Sequence, residues 1–143
     1  MMTIERAGRL TEADVAEFGP HAQTEWAELA PLRDEFYRNI SALWRIRWKG
    51  ALLAVIGVKQ LSWLGNGVEV FFFLGQRAGE RRIALIKFLR RALRHALRRF
   101  HAVFARIDPE FWLGRRFVEY LGFTHVRTTS EGSWTFAEYS MRA

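Results

Sequence analysis

The chain has 143 residues and a mass of 16.7 kDa, which is the size of one domain. Half of the residues are hydrophobic and none is cysteine, so the composition excludes a disordered chain, a disulfide framework and thiolate chemistry. The formal net charge is +7, and no stretch is apolar enough to predict a membrane-spanning helix or a secretion signal. We therefore expect one domain over residues 1–143, located in the cytoplasm.

The N-terminal residues predict a strand and a capped helix. Residues 3–7 alternate between apolar and polar side chains, which predicts a short strand. Thr11 and Asp14 have the spacing of a capping box, with Asp in place of the usual Glu. The predicted helix covers residues 11–18 and ends at Gly19-Pro20.

A second helical segment is predicted over residues 23–40, with a break near Pro31. Its apolar side chains recur every three or four residues, which is typical of a face packed on a core. The residues of this face are Trp26, Leu29, Leu32, Phe36 and Ile40.

Three antiparallel strands are predicted next. The first covers residues 42–48 and ends at a tight turn, Lys49-Gly50. Residues 51–58 are apolar on both faces, which predicts a strand that is covered on both sides. Asn66-Gly67 is a strong hairpin signal, and residues 68–74 form the third strand.

The longest helical pattern covers residues 78–100. Its apolar side is predicted to contain Ile83, Ile86, Leu89, Leu93, Ala96, Leu97 and Phe100. Most of the excess positive charge lies in this part of the chain, on Arg77, Arg81, Arg82, Lys87, Arg90, Arg91, Arg94, Arg98 and Arg99, with Glu80 as the single acid between them. Such a face is either solvated or binds an anion, nucleic acid or an acidic protein surface.

The C-terminal part predicts a strand, a helix and a final strand pair. The strand covers residues 102–107, and Asp108-Pro109 follows it as a break that could cap the next helix. That helix is predicted over residues 111–121, with Gly122 as its left-handed stop. The strand pair covers residues 124–129 and 134–140.

This order of elements resembles the GCN5-related N-acetyltransferase fold over essentially the whole chain. Three segments are similar to those of the family: the opening strand with Asp14, the Gln76-x-x-Gly79 loop before the long helix, and the Arg116–Phe123 helix ending in Leu-Gly-Phe. The resemblance implies an α/β (α+β) fold with a mixed, mostly antiparallel sheet, helices on both faces and a splayed parallel strand pair.

The resemblance also implies binding of acetyl-CoA or another acyl-CoA between the splayed strands 68–74 and 102–107. Loop amides at the start of the long helix would hold the pyrophosphate, because helix N-termini carry N–H groups without partners. The family motif reads Gln/Arg-x-x-Gly-x-Gly/Ala, and Arg81 replaces its last small residue. The implied cofactor-binding residues are Leu74, Gln76, Arg77, Ala78, Gly79, Arg81 and Arg82.

Two residues are candidates for acyl transfer to a small-molecule or peptide amine. Glu69 is the one carboxylate on the strand at the expected centre and would be the base. Tyr120 would be the acid, although the family's tyrosine position is Val118 here and a frequent asparagine position is Phe111.

Those two departures leave a second hypothesis open, in which the fold is catalytically degenerate and serves for binding. More loosely, the chain is similar to acetyltransferase-like internal virion proteins of short-tailed bacteriophages, which would imply protein partners in a phage assembly and a virion location. Nucleic-acid binding through residues 77–99 is a further alternative. The histidines have no metal-ligand spacing, and no metal site is expected; they are His21, His95, His101 and His125.

Overall fold

The computed structural model describes residues 2–61 and 67–142. The elements are β1 (Met2–Arg6), α1 (Glu12–Ala16), α2 (Pro20–Glu28), a 3₁₀ turn (Ala30–Leu32), α3 (Arg33–Asn39), β2 (Ala42–Trp48), β3 (Ala51–Leu61), β4 (Gly67–Leu74), a second 3₁₀ turn (Ala78–Arg81), α4 (Arg82–Leu97), β5 (Ala102–Ile107), α5 (Trp112–Leu121), β6 (Thr124–Glu131) and β7 (Trp134–Arg142). The chain forms two compact units, a first unit of Met1–Lys59 with Phe71–Arg82 and a second unit of Gln60–Val70 with Ile83–Ala143.

The strands form a seven-stranded sheet in the order β1-β2-β3-β4-β5-β7-β6. The β1–β2, β2–β3, β5–β7 and β6–β7 pairs are antiparallel, and β4–β5 is parallel, which confirms the expected mixed sheet with one parallel pair. The parallel ladder runs from Gly67 opposite Ala102 to Val70 opposite Ala105. It ends there, although β4 continues to Leu74 and β5 to Ile107. The hairpin predicted at Asn66-Gly67 involves Asn66, which lies outside the described residues.

A buried carboxylate holds the N-terminus of α1 on β2 in the first unit. Asp14 is 2% exposed, and its carboxylate accepts hydrogen bonds from the Thr11 backbone N–H at 2.8 Å and the Arg45 Nε at 2.9 Å. The Thr11 hydroxyl accepts from the Asp14 N–H, which completes the predicted capping box. Arg47 adds a contact of 3.3 Å to the same carboxylate. Local capping chemistry is thereby joined to an ion pair with a neighbouring strand.

The predicted end of the first helix is wrong. α1 ends at Ala16, and Gly19-Pro20 begins α2, with Gly19 as its N-cap. Proline fits the first turn of a helix because the N–H that it lacks would have no partner there. The break near Pro31 is confirmed, since a 3₁₀ turn separates α2 from α3.

Aromatic rings dominate the core of the first unit. Phe18 stacks on Phe73 at 5.3 Å between centroids, and Trp26 meets Phe73 edge-on at 5.8 Å. Phe36 packs against the same cluster. Leu32, predicted on this face, is 47% exposed because the 3₁₀ turn at Pro31 changes the phase of the side chains.

The central strands of the first unit follow the prediction. Lys49 and Gly50 both have positive φ, at 48° and 81°, as the tight turn between β2 and β3 requires. Residues 51–55 are all buried, which confirms that this part of β3 is covered on both faces.

The buried side of α4 follows the prediction at Leu89 and Leu93 but not at the start of the helix. Leu85, Leu89 and Leu93 are buried, whereas Ile83 is 68% exposed. The α-helix also starts only at Arg82, after the 3₁₀ turn, and ends at Leu97 rather than at residue 100. Leucines spaced by four define one face, and Ile83 stands about 200° away from Leu85 on the helix.

The C-terminal elements have the predicted types, and β6 and β7 each end two residues later than predicted. Gly122 ends α5 with a φ of 107°, as a left-handed stop requires. Asp108 does not cap this helix as expected, since its carboxylate accepts the Glu110 N–H and the N-cap of α5 is Phe111. β6 is the last strand of the sheet; it is exposed at all but one position, and its register with β7 shifts between His125 and Arg127.

Candidate functional site

The loop that follows β4 is fixed by backbone hydrogen bonds within the first unit. The Gly75 N–H donates to the Leu53 carbonyl at 2.8 Å, and the Gln76 N–H donates to the Glu17 carbonyl at 2.9 Å. A Cβ on Gly75 would lie 2.4 Å from the Leu52 carbonyl oxygen, so this position accepts only glycine. The first two residues of the loop are thus set by the strand and helix end beside them.

The rest of the loop presents two unpaired amides. The Ala78 N–H donates to the Gly75 carbonyl and the Glu80 N–H to the Arg77 carbonyl, which forms the 3₁₀ turn. The N–H groups of Arg77 and Gly79 donate to no acceptor in residues 2–61 and 67–142. A Cβ placed on Gly79 would meet nothing within 4 Å. This combination of unpaired N–H groups and open space is suited to an anionic group such as a phosphate.

The arginines of the loop have separate partners. The Arg77 guanidinium donates to the Glu80 carboxylate at 2.6 Å, and this hydrogen bond lowers the pKa of Glu80. The Arg81 guanidinium lies over the indole of Trp48, 4.2 Å from the ring centroid. Arg81 therefore leaves the space beside Gly79 open while it keeps a positive charge near the loop. The contact with Trp48 was absent from the sequence prediction because the two residues are 33 positions apart.

Gly75 and Gly79 are expected to respond differently to alanine. Gly75→Ala should lower the free energy of unfolding by about 2–3 kcal/mol, because its Cβ would overlap backbone oxygens that cannot move independently. Gly79→Ala should leave it unchanged or raise it by about 0.4–1 kcal/mol, since the space is open and the unfolded chain loses freedom. Urea unfolding of the two variants measures both values, and equal losses would contradict the expectation.

Glu69, the candidate base, lies on β4 in the second unit. Its side chain is 17% exposed, and the carboxylate accepts a hydrogen bond from the Arg106 Nε at 3.2 Å. The Arg106 Nη1 also donates to Glu131 at 3.0 Å, and its guanidinium lies 4.8 Å from the ring centroid of Phe136. Sequence reasoning missed Arg106. Phe104 is opposite Glu69 in the parallel ladder, and Arg106 lies two positions after Phe104.

Tyr120, the candidate acid, lies on an exposed part of α5. It is 48% exposed, and its hydroxyl accepts a hydrogen bond from the Arg116 Nη2 at 2.9 Å. Arg116 also lies 5.0 Å from the ring centroid of Trp112, one turn earlier. Glu69 and Tyr120 thus form hydrogen bonds with different arginines, Arg106 on β5 and Arg116 on α5.

A buried tyrosine packs against the same helix and was not anticipated from the sequence. The Tyr139 side chain is fully buried on β7, and its hydroxyl donates to Glu119 at 3.1 Å and accepts from Arg115 at 3.0 Å. Val118, at the position where the family's tyrosine was expected, is also fully buried. A tyrosine hydroxyl therefore lies beside α5, but it belongs to Tyr139 on β7 rather than to the helix itself.

The described part of the chain lacks two further classes of feature, a metal centre and a membrane-spanning helix. No group of three histidine, cysteine, aspartate or glutamate side chains there could hold a metal ion. No helix in residues 2–61 or 67–142 is both long and apolar enough to span a bilayer.

Solved structures of N-acetyltransferases share this fold over the length of the chain. An acetyltransferase from Bacillus subtilis in complex with CoA has a TM-score of 0.69 at 9% identity, covering 100% of this chain and 99% of that one. An N-acetyltransferase from Staphylococcus aureus Mu50 has a TM-score of 0.65 at 15% identity, covering 99% and 98%. Spermidine N-acetyltransferase from Vibrio cholerae, in complex with CoA and spermine, has a TM-score of 0.67 at 12% identity, covering 99% and 95%.

At these identities the likeness establishes the fold, and it confirms the GCN5-related N-acetyltransferase architecture expected from the sequence. No protein-family model matches the chain, and no curated protein matches it in sequence.

Proposed function

We propose that this chain is an acyl-CoA-dependent N-acetyltransferase that transfers an acyl group to an amine, with residues 1–143 acting as one domain. The observation that carries the proposal is the pair of unpaired amides, on Arg77 and Gly79, at the start of the long helix of an N-acetyltransferase fold. The solved neighbours include complexes with CoA, whose pyrophosphate is an anion of the kind such amides bind.

The loop is proposed to hold the pyrophosphate through its backbone. Arg77 would contribute its N–H rather than its guanidinium, which is already paired with Glu80. Gly79 would allow close approach, and the guanidinium groups of Arg81 and Arg82 would add positive charge. The other proposed contacts with the cofactor come from Leu74, Gln76 and Ala78.

The chemistry supplied by a bound acyl-CoA is a thioester that an amine can attack. Glu69 is proposed to accept the proton of the attacking amine, and Arg106 fixes the orientation of its carboxylate. Tyr120, whose oxygen accepts from Arg116, is proposed as the proton donor to the leaving thiolate. The acceptor is proposed to be a small-molecule or peptide amine.

Titration of the purified chain with acetyl-CoA tests the proposal. We expect a calorimetric binding signal and a raised Tm, and we expect Gly79→Leu to weaken binding at least about tenfold, since the added side chain fills the space beside the two amides. Gly8→Leu is the matched control, because a Cβ at Gly8 also meets nothing within 4 Å. The absence of heat and of a Tm shift at millimolar acetyl-CoA would refute the proposal.

Acetyl transfer is measured in the same preparation by thiol release, with spermine and an N-terminal peptide amine as acceptors. Spermine is included because the Vibrio cholerae neighbour was solved with it. A second candidate function, binding of acyl-CoA without transfer, is favoured by the buried Val118 at the expected tyrosine position. Binding without thiol release for any amine would support that second function. The solved structures named above give the phage hypothesis no support, and it is not part of the proposal.

A further inference from the structure

Five basic side chains line the exposed side of α4 and the residue that follows it. We call them the cationic stripe: Lys87, Arg90, Arg91, Arg94 and Arg98, all exposed and all in the second unit. With about 100° of rotation and 1.5 Å of rise per residue, they lie in a sector of about 100° and extend over about 16 Å. The spacing therefore makes one continuous row of charge along the helix.

The stripe has no internal neutralisation. No carboxylate in the described part of the chain forms an ion pair with any of its five members, and residues 82–99 contain no Asp or Glu. Several arginines outside the stripe are paired with a carboxylate, as Arg45 is with Asp14 and Arg106 with Glu69. Like charges at helical spacing repel each other, and a ligand with several negative charges would relieve that repulsion.

The other side of α4 excludes a membrane-surface role. An interfacial helix needs an apolar face that is available to lipid, whereas Leu85, Leu89 and Leu93 are buried. Ile83 is the one large apolar side chain of α4 that is exposed. Phe88 is the one Phe, Tyr or Trp side chain of residues 82–98, and it is not exposed, so the stripe offers no such ring on which the bases of a single strand could stack.

We propose that the cationic stripe binds the phosphodiester backbone of double-stranded nucleic acid, without reading its sequence. A duplex carries one charge per about 1.7 Å of axis, so about 16 Å of it presents roughly ten phosphates, about five on each strand. The stripe is therefore opposite in charge to this length of duplex, whose phosphates outnumber the five cations. This binding would be independent of the acyl-CoA site, because none of the five residues belongs to the loop.

Fluorescence anisotropy with a labelled 20-base-pair DNA of arbitrary sequence tests the proposal on the full chain. We expect binding at 50 mM NaCl that weakens steeply with salt, with a slope of log Kobs against log[salt] of about −4.5 for five contacts. The unlabelled single strand should compete less well than the duplex. No binding at 50 mM NaCl, or preferential binding of the single strand, would overturn the proposal.

Two triple variants that remove the same number of charges test whether the cationic stripe is the surface that binds the duplex. Arg90→Gln, Arg94→Gln and Arg98→Gln together should reduce the slope by about 3 and weaken binding about 100-fold at 0.1 M salt. The control removes three exposed arginines of the first unit, through Arg6→Gln, Arg9→Gln and Arg38→Gln, and should cost less than about fivefold.

Three outcomes distinguish binding by the cationic stripe from an effect of net charge and from misfolding of the variant. Equal losses in the two triple variants would contradict the proposal. Binding to vesicles containing phosphatidylserine, without binding to duplex, would also contradict it. The Tm of the stripe variant should not fall, since only exposed like charges are removed.

Discussion

Replacement of Asp14 by alanine is expected to lower the free energy of unfolding by about 3–5 kcal/mol. Asp14 is 2% exposed and forms an ion pair with Arg45, whose side chain is 15% exposed. Without the carboxylate, the Arg45 charge would stay largely buried with its strongest partner gone, and the backbone N–H of Thr11 would lose its acceptor. Urea unfolding at pH 7 measures the loss.

The matched control is Glu12→Ala, in the same turn of α1. Glu12 is exposed, so its removal should cost less than about 1 kcal/mol, which is the value of a charge at an exposed helix end. In a double-mutant cycle, Asp14→Ala with Arg45→Ala should cost less than the sum of the single changes, because no charge is then left unpaired. Additive losses would contradict the buried ion pair.

The same contacts predict acid sensitivity. Burial raises the pKa of Asp14, but hydrogen bonds from Arg45 and Thr11 outweigh it and hold the pKa below its ordinary value of 3.8. A carboxylate with a lowered pKa contributes stability above the ordinary value and loses it as the pH falls through the folded-state pKa. The free energy of unfolding should therefore decrease below about pH 4, and Asp14→Ala should flatten that decrease.

Glu69→Gln is expected to reduce the rate of acetyl transfer by about 10²–10⁴, the usual contribution of a general base. This expectation rests on the proposed function. Glutamine keeps the shape of the side chain and can still accept a hydrogen bond from Arg106, but it cannot take a proton from the amine. Steady-state kinetics should show the loss in kcat, while the Kd for acetyl-CoA stays unchanged.

Glu131→Gln provides the matched control for that variant. Glu131 is the second carboxylate that pairs with Arg106, so the variant also removes one negative charge beside this arginine. The Glu131 side chain is 68% exposed. The variant should retain activity within about twofold of the parent chain. Equal effects of the two variants would mean that the Arg106 ion pairs support the fold and that Glu69 is not the base. A loss of kcat confined to Glu69→Gln would support the assignment.

Features that depend on local chemistry were predictable from the sequence. The Thr11–Asp14 capping box, the Lys49-Gly50 turn and the Gly122 stop each involve neighbouring residues and appear in the structure as expected. The prediction for Ile83 was wrong for a different reason, since Ile83 lies about 200° from Leu85 within the same α-helix. The apolar residues of this segment fit more than one stripe, and tertiary packing decides which stripe is buried.

Contacts that depend on strand register were not predictable. The loop Gln76–Gly79 was expected to be a site because its motif resembles that of the family, but the pairing of Glu69 with Arg106 requires the register of β4 on β5. The position of Arg81 over Trp48 likewise requires that β2 passes near the loop. Apolar periodicity identifies strands and their faces, whereas register is decided by all of the side chains that pack together.

The exposed outer strand β6 affects how copies of this protein behave at high concentration. An outermost strand offers a row of unsatisfied backbone groups on which another chain could extend the sheet, the first step of aggregation. Here the register shift between His125 and Arg127 interrupts that row, and Arg127 places a charge beside the exposed Val126. A neighbouring molecule therefore finds no flat, uncharged template at β6, which disfavours intermolecular β-assembly on this strand.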